Sequence, residues 1–182
     1  MRAARDGAAA LRDALRAEGG TVAGLLDAAP REATATDHPG PAQLAAAGPR
    51  TRGRELEYEL LIEMILEGYR LHYDEPRVVH PEDPDLALLL GDQLYALGLA
   101  RLAELGDLDA VSELADVISL AAQAHSAADR DLADAVWVAG AVSVGWGRSE
   151  EHQRAKERAR AHDPGAGREL RAFAATRSRA SL

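Results

Sequence analysis

The chain has 182 residues, 47% hydrophobic and only 4% aromatic, with Ala and Leu dominant; this length suits one domain and this composition suits packed helices. It has no cysteine, so disulfides, thiolate metal sites and cysteine nucleophiles are excluded. The net charge of −9 is uneven, with 7 basic and 6 acidic groups over residues 1–53, 5 and 19 over 54–147, and 9 and 5 over 148–182; so acidic a middle repels nucleic acid, whose non-specific binding needs Lys and Arg against phosphate.

In chain order, residues 3–18 read as an amphipathic helix with Ala10, Leu11, Ala14 and Leu15 as its apolar stripe. Gly19-Gly20 ends it, and Thr21 is placed to cap a shorter helix through residue 28. Residues 30–53 collect Pro30, Pro39, Pro41 and Pro49 with three glycines and three threonines, a linker composition with one helical turn expected at 43–47. Residues 1–53 are therefore expected to form a loosely attached N-terminal arm. The second unit, residues 54–182, is expected to be a helical bundle with basic C-terminal helices.

The bundle opens with Tyr58, Leu61, Ile62, Ile65, Leu66, Tyr69 and Tyr73 at spacings of three and four, with Glu55, Glu59, Glu63, Glu67 and Arg70 on other faces. Pro76 ends this helix, because proline disfavours the α conformation in the residue before it. A loop with Pro76, Pro81 and Pro84 leads to a helix over 85–105, capped by Asp85, whose polar side chains are almost only Asp92, Gln93, Arg101 and Glu104. A helix apolar round most of its circumference is expected at the centre of a bundle. Gly106 and Asp107 stop it and cap the next helix, 108–128. Asp131 is expected to start a further helix whose Ala135, Ala139, Gly140, Gly145 and Gly147 permit close backbone approach. Ser149 caps a polar helix to about residue 161, and a last short helix runs over 168–177. The basic tail is expected as a solvated helical surface. β-branched residues do not occur in the alternating runs that strands need, so the class is all-α, an antiparallel helical bundle. No signal-type segment occurs, and the longest apolar run, 135–147, is shorter than the ~20 residues that span a bilayer. The expectation is a cytoplasmic protein without a membrane span.

The stretch DLALLLGDQLYALGLARLAELGDLDAVSELADVISLAAQAH, residues 85–125, resembles the central helix pair of the trans-prenyl diphosphate synthase family, in which Gly-Asp opens a helix that ends in a Leu-Ala-x-Leu-Gly-like turn before a Leu-Ala-rich helix. The closest likeness is to the non-catalytic small subunit of two-component heptaprenyl diphosphate synthases, where the preceding helix also carries a degenerate His-Asp-Glu. The resemblance implies a truncated isoprenoid-synthase-like bundle. It covers this block and fades on both sides; the family's Asp-Asp-x-x-Asp is missing, as is its Lys-Thr pair.

Where that family places its first aspartate-rich motif, this chain has EGYRLHYDEPR, residues 67–77. A divalent cation needs several converging oxygens; Asp74 and Glu75 are adjacent and point apart on a helix, so no metal and no cofactor is expected. PEDPD (81–85) lacks calcium-loop spacing, and in DRDLAD (129–134) capping by Asp131 accounts for the acids. The candidates for a ligand or cavity site are Tyr69, His72, Asp74, Arg77, Asp92 and His125, with no catalytic residue among them. Asp92 on a buried helix needs a partner, for which Arg70, Arg77 or a tyrosine is placed.

Three functions follow. The first is a non-catalytic, regulatory prenyl-synthase-like subunit that pairs with a catalytic chain and shapes an isoprenoid pocket or the product length. The second is a degenerate prenyltransferase or carrier that keeps an isoprenoid pocket. The third is a plain helical homodimer. Trp137 and Trp146 lie nine residues apart, on faces about 180° apart, so one of them is expected to face an interface or cavity.

Overall fold

The computed structural model describes residues 5–26 and 39–179, and these form an all-α helical bundle of nine α-helices. They are α1 (Arg5–Glu18), α2 (Gly20–Ala23), α3 (Pro41–Ala46), α4 (Glu55–Tyr73), α5 (Pro84–Glu104), α6 (Leu108–Ser126), α7 (Arg130–Trp146), α8 (Glu150–Arg160) and α9 (Ala166–Arg179), with a 3-10 turn at Pro49–Thr51. The one β-type pairing among the described residues is an isolated bridge between Leu26 and Val79.

The starts and stops follow local chemistry. Asp107 and Ser149 accept from the backbone N–H groups of Ala110 and His152, as their positions in the sequence lead one to expect. Two caps lie two residues earlier than expected. Asp83, not Asp85, accepts at the start of α5, because Pro84 fits the first helical position, where its missing N–H costs nothing. Asp129, not Asp131, accepts from the N–H of Leu132 at the start of α7. Gly106, at φ 78°, takes the left-handed conformation that ends α5.

The centre of the bundle is α4 and α7, not α5. On α4 every residue from Leu61 to Tyr69 is buried, and on α7 every residue from Ala139 to Gly145. The first packs against α1, α3 and α5; the second packs against α3, α6 and α9. By contrast, α5 buries one stripe, Leu90, Gly91, Leu94, Gly98 and Leu102, mainly against α4. Leu88 and Leu89 on its outer side are 46% and 67% exposed. Apolar composition alone does not say which surface covers a helix, and this chain covers only one side of α5. By length and composition α5 is also the one described helix apolar enough to cross a membrane.

Segments ahead of α4 join the core. Leu11 and Leu15 of α1 are fully buried beside Met64, Leu90 and Leu94. Ala42 and Ala45 of α3 lie in the main core between α4 and α7. At the next turn Gly48 meets Gly145 so closely that a Cβ on Gly48 would overlap the Gly145 backbone. The buried Thr51 hydroxyl donates toward the carbonyls of Ala45, Ala46 and Gly48. Residues 39–53 are thus a fixed wedge rather than a linker: the prolines, glycines and threonines read as linker composition flank Ala42 and Ala45, and small residues are what close helix contact requires. The helix expected over 21–28 is a single turn ending at Ala23; the rest of residues 27–38 lies outside the described residues.

Trp137 is 3% exposed and Trp146 is half-buried, and both lean on the main core. Two opposite faces reach one core because α7 has neighbours on several sides.

Candidate functional site

At one end of the bundle α4, α5, α6 and α7 bring six aromatic rings together. The Tyr69 hydroxyl and His125 Nε2 share a hydrogen bond of 2.7 Å. Tyr73 stacks on His125, with centroids 4.4 Å apart and planes within 5°. Trp137 meets Tyr69 edge-on at 5.2 Å, and His72 stacks on Tyr95 at 5.4 Å. The i, i+3 and i+4 spacing of Tyr69, His72 and Tyr73 places all three on one side of α4. Trp137 Nε1 and the Tyr95 hydroxyl are buried without a hydrogen-bond partner.

The surroundings are electronegative. Burial, reinforced by Asp134 and Asp74, pushes the Tyr69 hydroxyl up to about 12. Burial also raises Asp134, and Asp131 and Asp74 add to the effect while Arg171 opposes it. Tyr95 is raised too, chiefly by burial.

Of the residues singled out from sequence, Tyr69, His72 and His125 belong to this cluster. Asp74 ends α4, exposed, and acts on Tyr69 through its charge. Asp92 lies on the outer side of α5 with its side chain 73% exposed, so the demand for a buried partner does not arise. Its Oδ1 is 3.2 Å from His72 Nε2, near enough for charge pairing but off the hydrogen-bond direction. Arg77 stands apart, with its guanidinium 3.6 Å from Glu63. Among the described residues no three His, Asp or Glu side chains are grouped to hold a metal ion.

Two buried polar sets lie elsewhere. Glu67, expected on a polar face, is fully buried; its Oε1 accepts from the backbone N–H groups of Arg77, Val78 and Val79 at 2.8, 2.6 and 3.1 Å. Its other oxygen meets Arg70, which also bonds Glu63. The second set joins α6 to α8. Glu113 takes His152 Nε2 at 2.7 Å and Lys156 Nζ at 2.8 Å, and all three residues are 1% exposed. Lys156 also donates to Asp116 at 2.8 Å, and Arg160 pairs with the other Asp116 oxygen at 2.7 Å. Burial alone would raise Glu113, but His152 and Lys156 hold it below the ordinary carboxylate range. His152 stacks on Phe173 of α9 at 4.6 Å, and Arg171 of α9 donates to the Asp131 carbonyl. The basic tail therefore folds back on the acidic body; it is not simply a solvated surface.

A small cavity of about 90 Å³ beside this set is lined by Arg50, Asp109, Glu113, Ser143, Val144, Gly147 and Arg148. An open groove of about 460 Å³ runs along the start of α8, past Arg148, Gln153 and Arg154. Neither coincides with the aromatic cluster.

No family model matches this chain, and neither a curated protein nor a solved structure does.

Sequence reading missed Glu113, His152 and Lys156, though a signal was present. Glu113 sits in the stripe Ala110, Leu114, Val117, Ala121, and Lys156 lies beside Ala155 and Ala159. A charge inside each of two helical stripes is what a buried pair between them requires.

Proposed function

We propose that this protein is a non-catalytic subunit of the prenyl diphosphate synthase type, acting in the cytoplasm by binding a catalytic chain and influencing its isoprenoid product. The observation that carries the subunit reading is α5: a 21-residue helix, apolar round most of its circumference, with one stripe covered by its own chain and Leu88 and Leu89 open. An apolar face left uncovered on a folded bundle is what a second chain covers. The prenyl synthase assignment draws on the residue pattern of 85–125. The His72-Tyr73-Asp74-Glu75 sequence adds to it, with an aromatic plug where a catalytic relative would hold aspartates.

The test is to co-express the full chain with each catalytic prenyl synthase chain of its own genome. Size-exclusion chromatography with light scattering then reads complex formation, and mass spectrometry reads product length. A stable complex with altered product length is expected. Failure of every catalytic chain to bind would remove the prenyl synthase reading.

A further inference from the structure

We infer that the outer face of α5 docks a chain different from this one, presenting an apolar helix rimmed by Lys or Arg. This rests on the subunit reading and names the chemistry of the partner. Leu88, Leu89, Ala96 and Ala100 make the exposed apolar part of that face, and Asp85, Asp92 and Glu104 are its exposed charges. The one cation on the helix, Arg101, is already paired with Glu18 of α1.

Charge decides between occupants. Two copies meeting about a two-fold axis would present the same patch to each other. Each would bring its carboxylates and no free base. Asp92, between Leu89 and Ala96, would be desolvated on both sides, with only its own chain's His72 nearby. Burying a charge without an opposing cation costs several kcal/mol, which disfavours self-pairing. An anionic bilayer meets the same objection, since surface-bound helices need basic flanks. A partner with a cation opposite Asp92, and others near Asp85 and Glu104, satisfies all three.

Size adds a constraint. A 21-residue helix is ~31 Å long and about 10 Å wide, so one face offers roughly 300 Å² against the ~800 Å² per partner of a stable interface. The contact therefore extends beyond α5. Just past the Gly106-Asp107 turn, Leu108 is a further large apolar side chain left open, at 67% exposed.

The test uses the full chain and two synthetic 21-residue helical peptides with the same Leu/Ala face, one with a Lys rim and one with a Glu rim. Fluorescence anisotropy should give at least tenfold tighter binding of the Lys-rimmed peptide. D92K should reverse that preference and L89S should abolish binding, with circular dichroism unchanged because both positions are exposed. Equal binding of the two peptides, or none, overturns the inference. So does a micromolar homodimer in the ultracentrifuge that L89S dissociates, or capture by vesicles rich in phosphatidylserine. If a catalytic chain binds but neither variant weakens it, the docking face is wrong and the subunit reading stands. If the peptides discriminate and no catalytic chain binds, the face is right and the prenyl synthase assignment is wrong.

Discussion

Glu113 and His152, 39 residues apart, meet at 2.7 Å inside the bundle, and Lys156 closes on the same carboxylate from one turn further along α8. The three are interdependent, because removing one member of a buried ionic set leaves another uncompensated. K156M should therefore destabilise the fold by about 3–5 kcal/mol. The double variant E113M/K156M should recover most of that loss. Urea denaturation of the three proteins measures both; a single variant as stable as the parent would show that the set carries no stabilising charge.

Acid should act through the same group. Glu113 is held below its ordinary 4.5 in the folded state, against the opposing effect of burial. Its contribution is complete above pH 4.5 and is lost as pH falls through the lower folded value. Asp107, with Tyr58 and Arg50 outweighing burial, and Asp116, with Lys156 and Arg160 doing so, are held below 3.8 and act in the same sense. Asp134 runs the other way: burial raises it above 3.8, so its contribution is present below 3.8 and lost as pH rises. Melting temperature should fall as pH drops below about 4.5. E113Q should flatten the upper part of that fall, and D134N should raise the melting temperature at pH 7. Calorimetry from pH 3 to 7 reads all three.

Glu67 pins the chain after α4 through three backbone N–H groups. E67A should cost roughly 2–3 kcal/mol, since the freed donors lose a charged acceptor. The amides of Arg77, Val78 and Val79 should then exchange faster than those of α6. Hydrogen exchange with mass spectrometry separates this local release from general destabilisation, and unchanged exchange at those residues would contradict the anchoring role.

The contact between Gly145 and the turn after α3 leaves no room for a side chain. A Cβ on Gly145 would lie 2.6 Å from the Ala45 carbonyl oxygen. G145A should destabilise by about 1–3 kcal/mol, as overpacking does. G106A should also destabilise, through the left-handed backbone at that site, where nothing crowds a Cβ. Thermal melts of the two variants compare crowding with conformational strain.

Much of the helical plan was legible in the sequence because caps, Gly stops and Pro breaks act within a few residues. Asp107, Gly106 and Ser149 lie where those signals put them. What failed was the assignment of neighbours. Leu-rich α5 and Ala-rich α3 exchanged places: the more apolar helix is peripheral, and the small-residue segment is wedged in the core. Hydropathy measures a preference for leaving water without naming the surface that provides the shelter. The candidate site was legible on α4, where Tyr69 and His72 share a side. Tyr95 escaped notice, and Trp137 was not connected to Tyr69, because each contact depends on how a different helix crosses α4. Glu67 escaped because its partners are backbone groups beyond a proline.

The Arg50 guanidinium donates to the Val144 carbonyl across 94 positions of chain, and α3 occupies a seat of which α7 forms one wall. On the ribosome, where synthesis proceeds from the N-terminus at roughly 5–20 residues per second, that wall appears late. The wedge can meet α4 once that helix emerges, but its seat is complete only after residue 146 clears the exit tunnel. A nascent chain stalled before α7 would expose the inner sides of α3 and α4 together, making that interval the point at which a chaperone has most to hold.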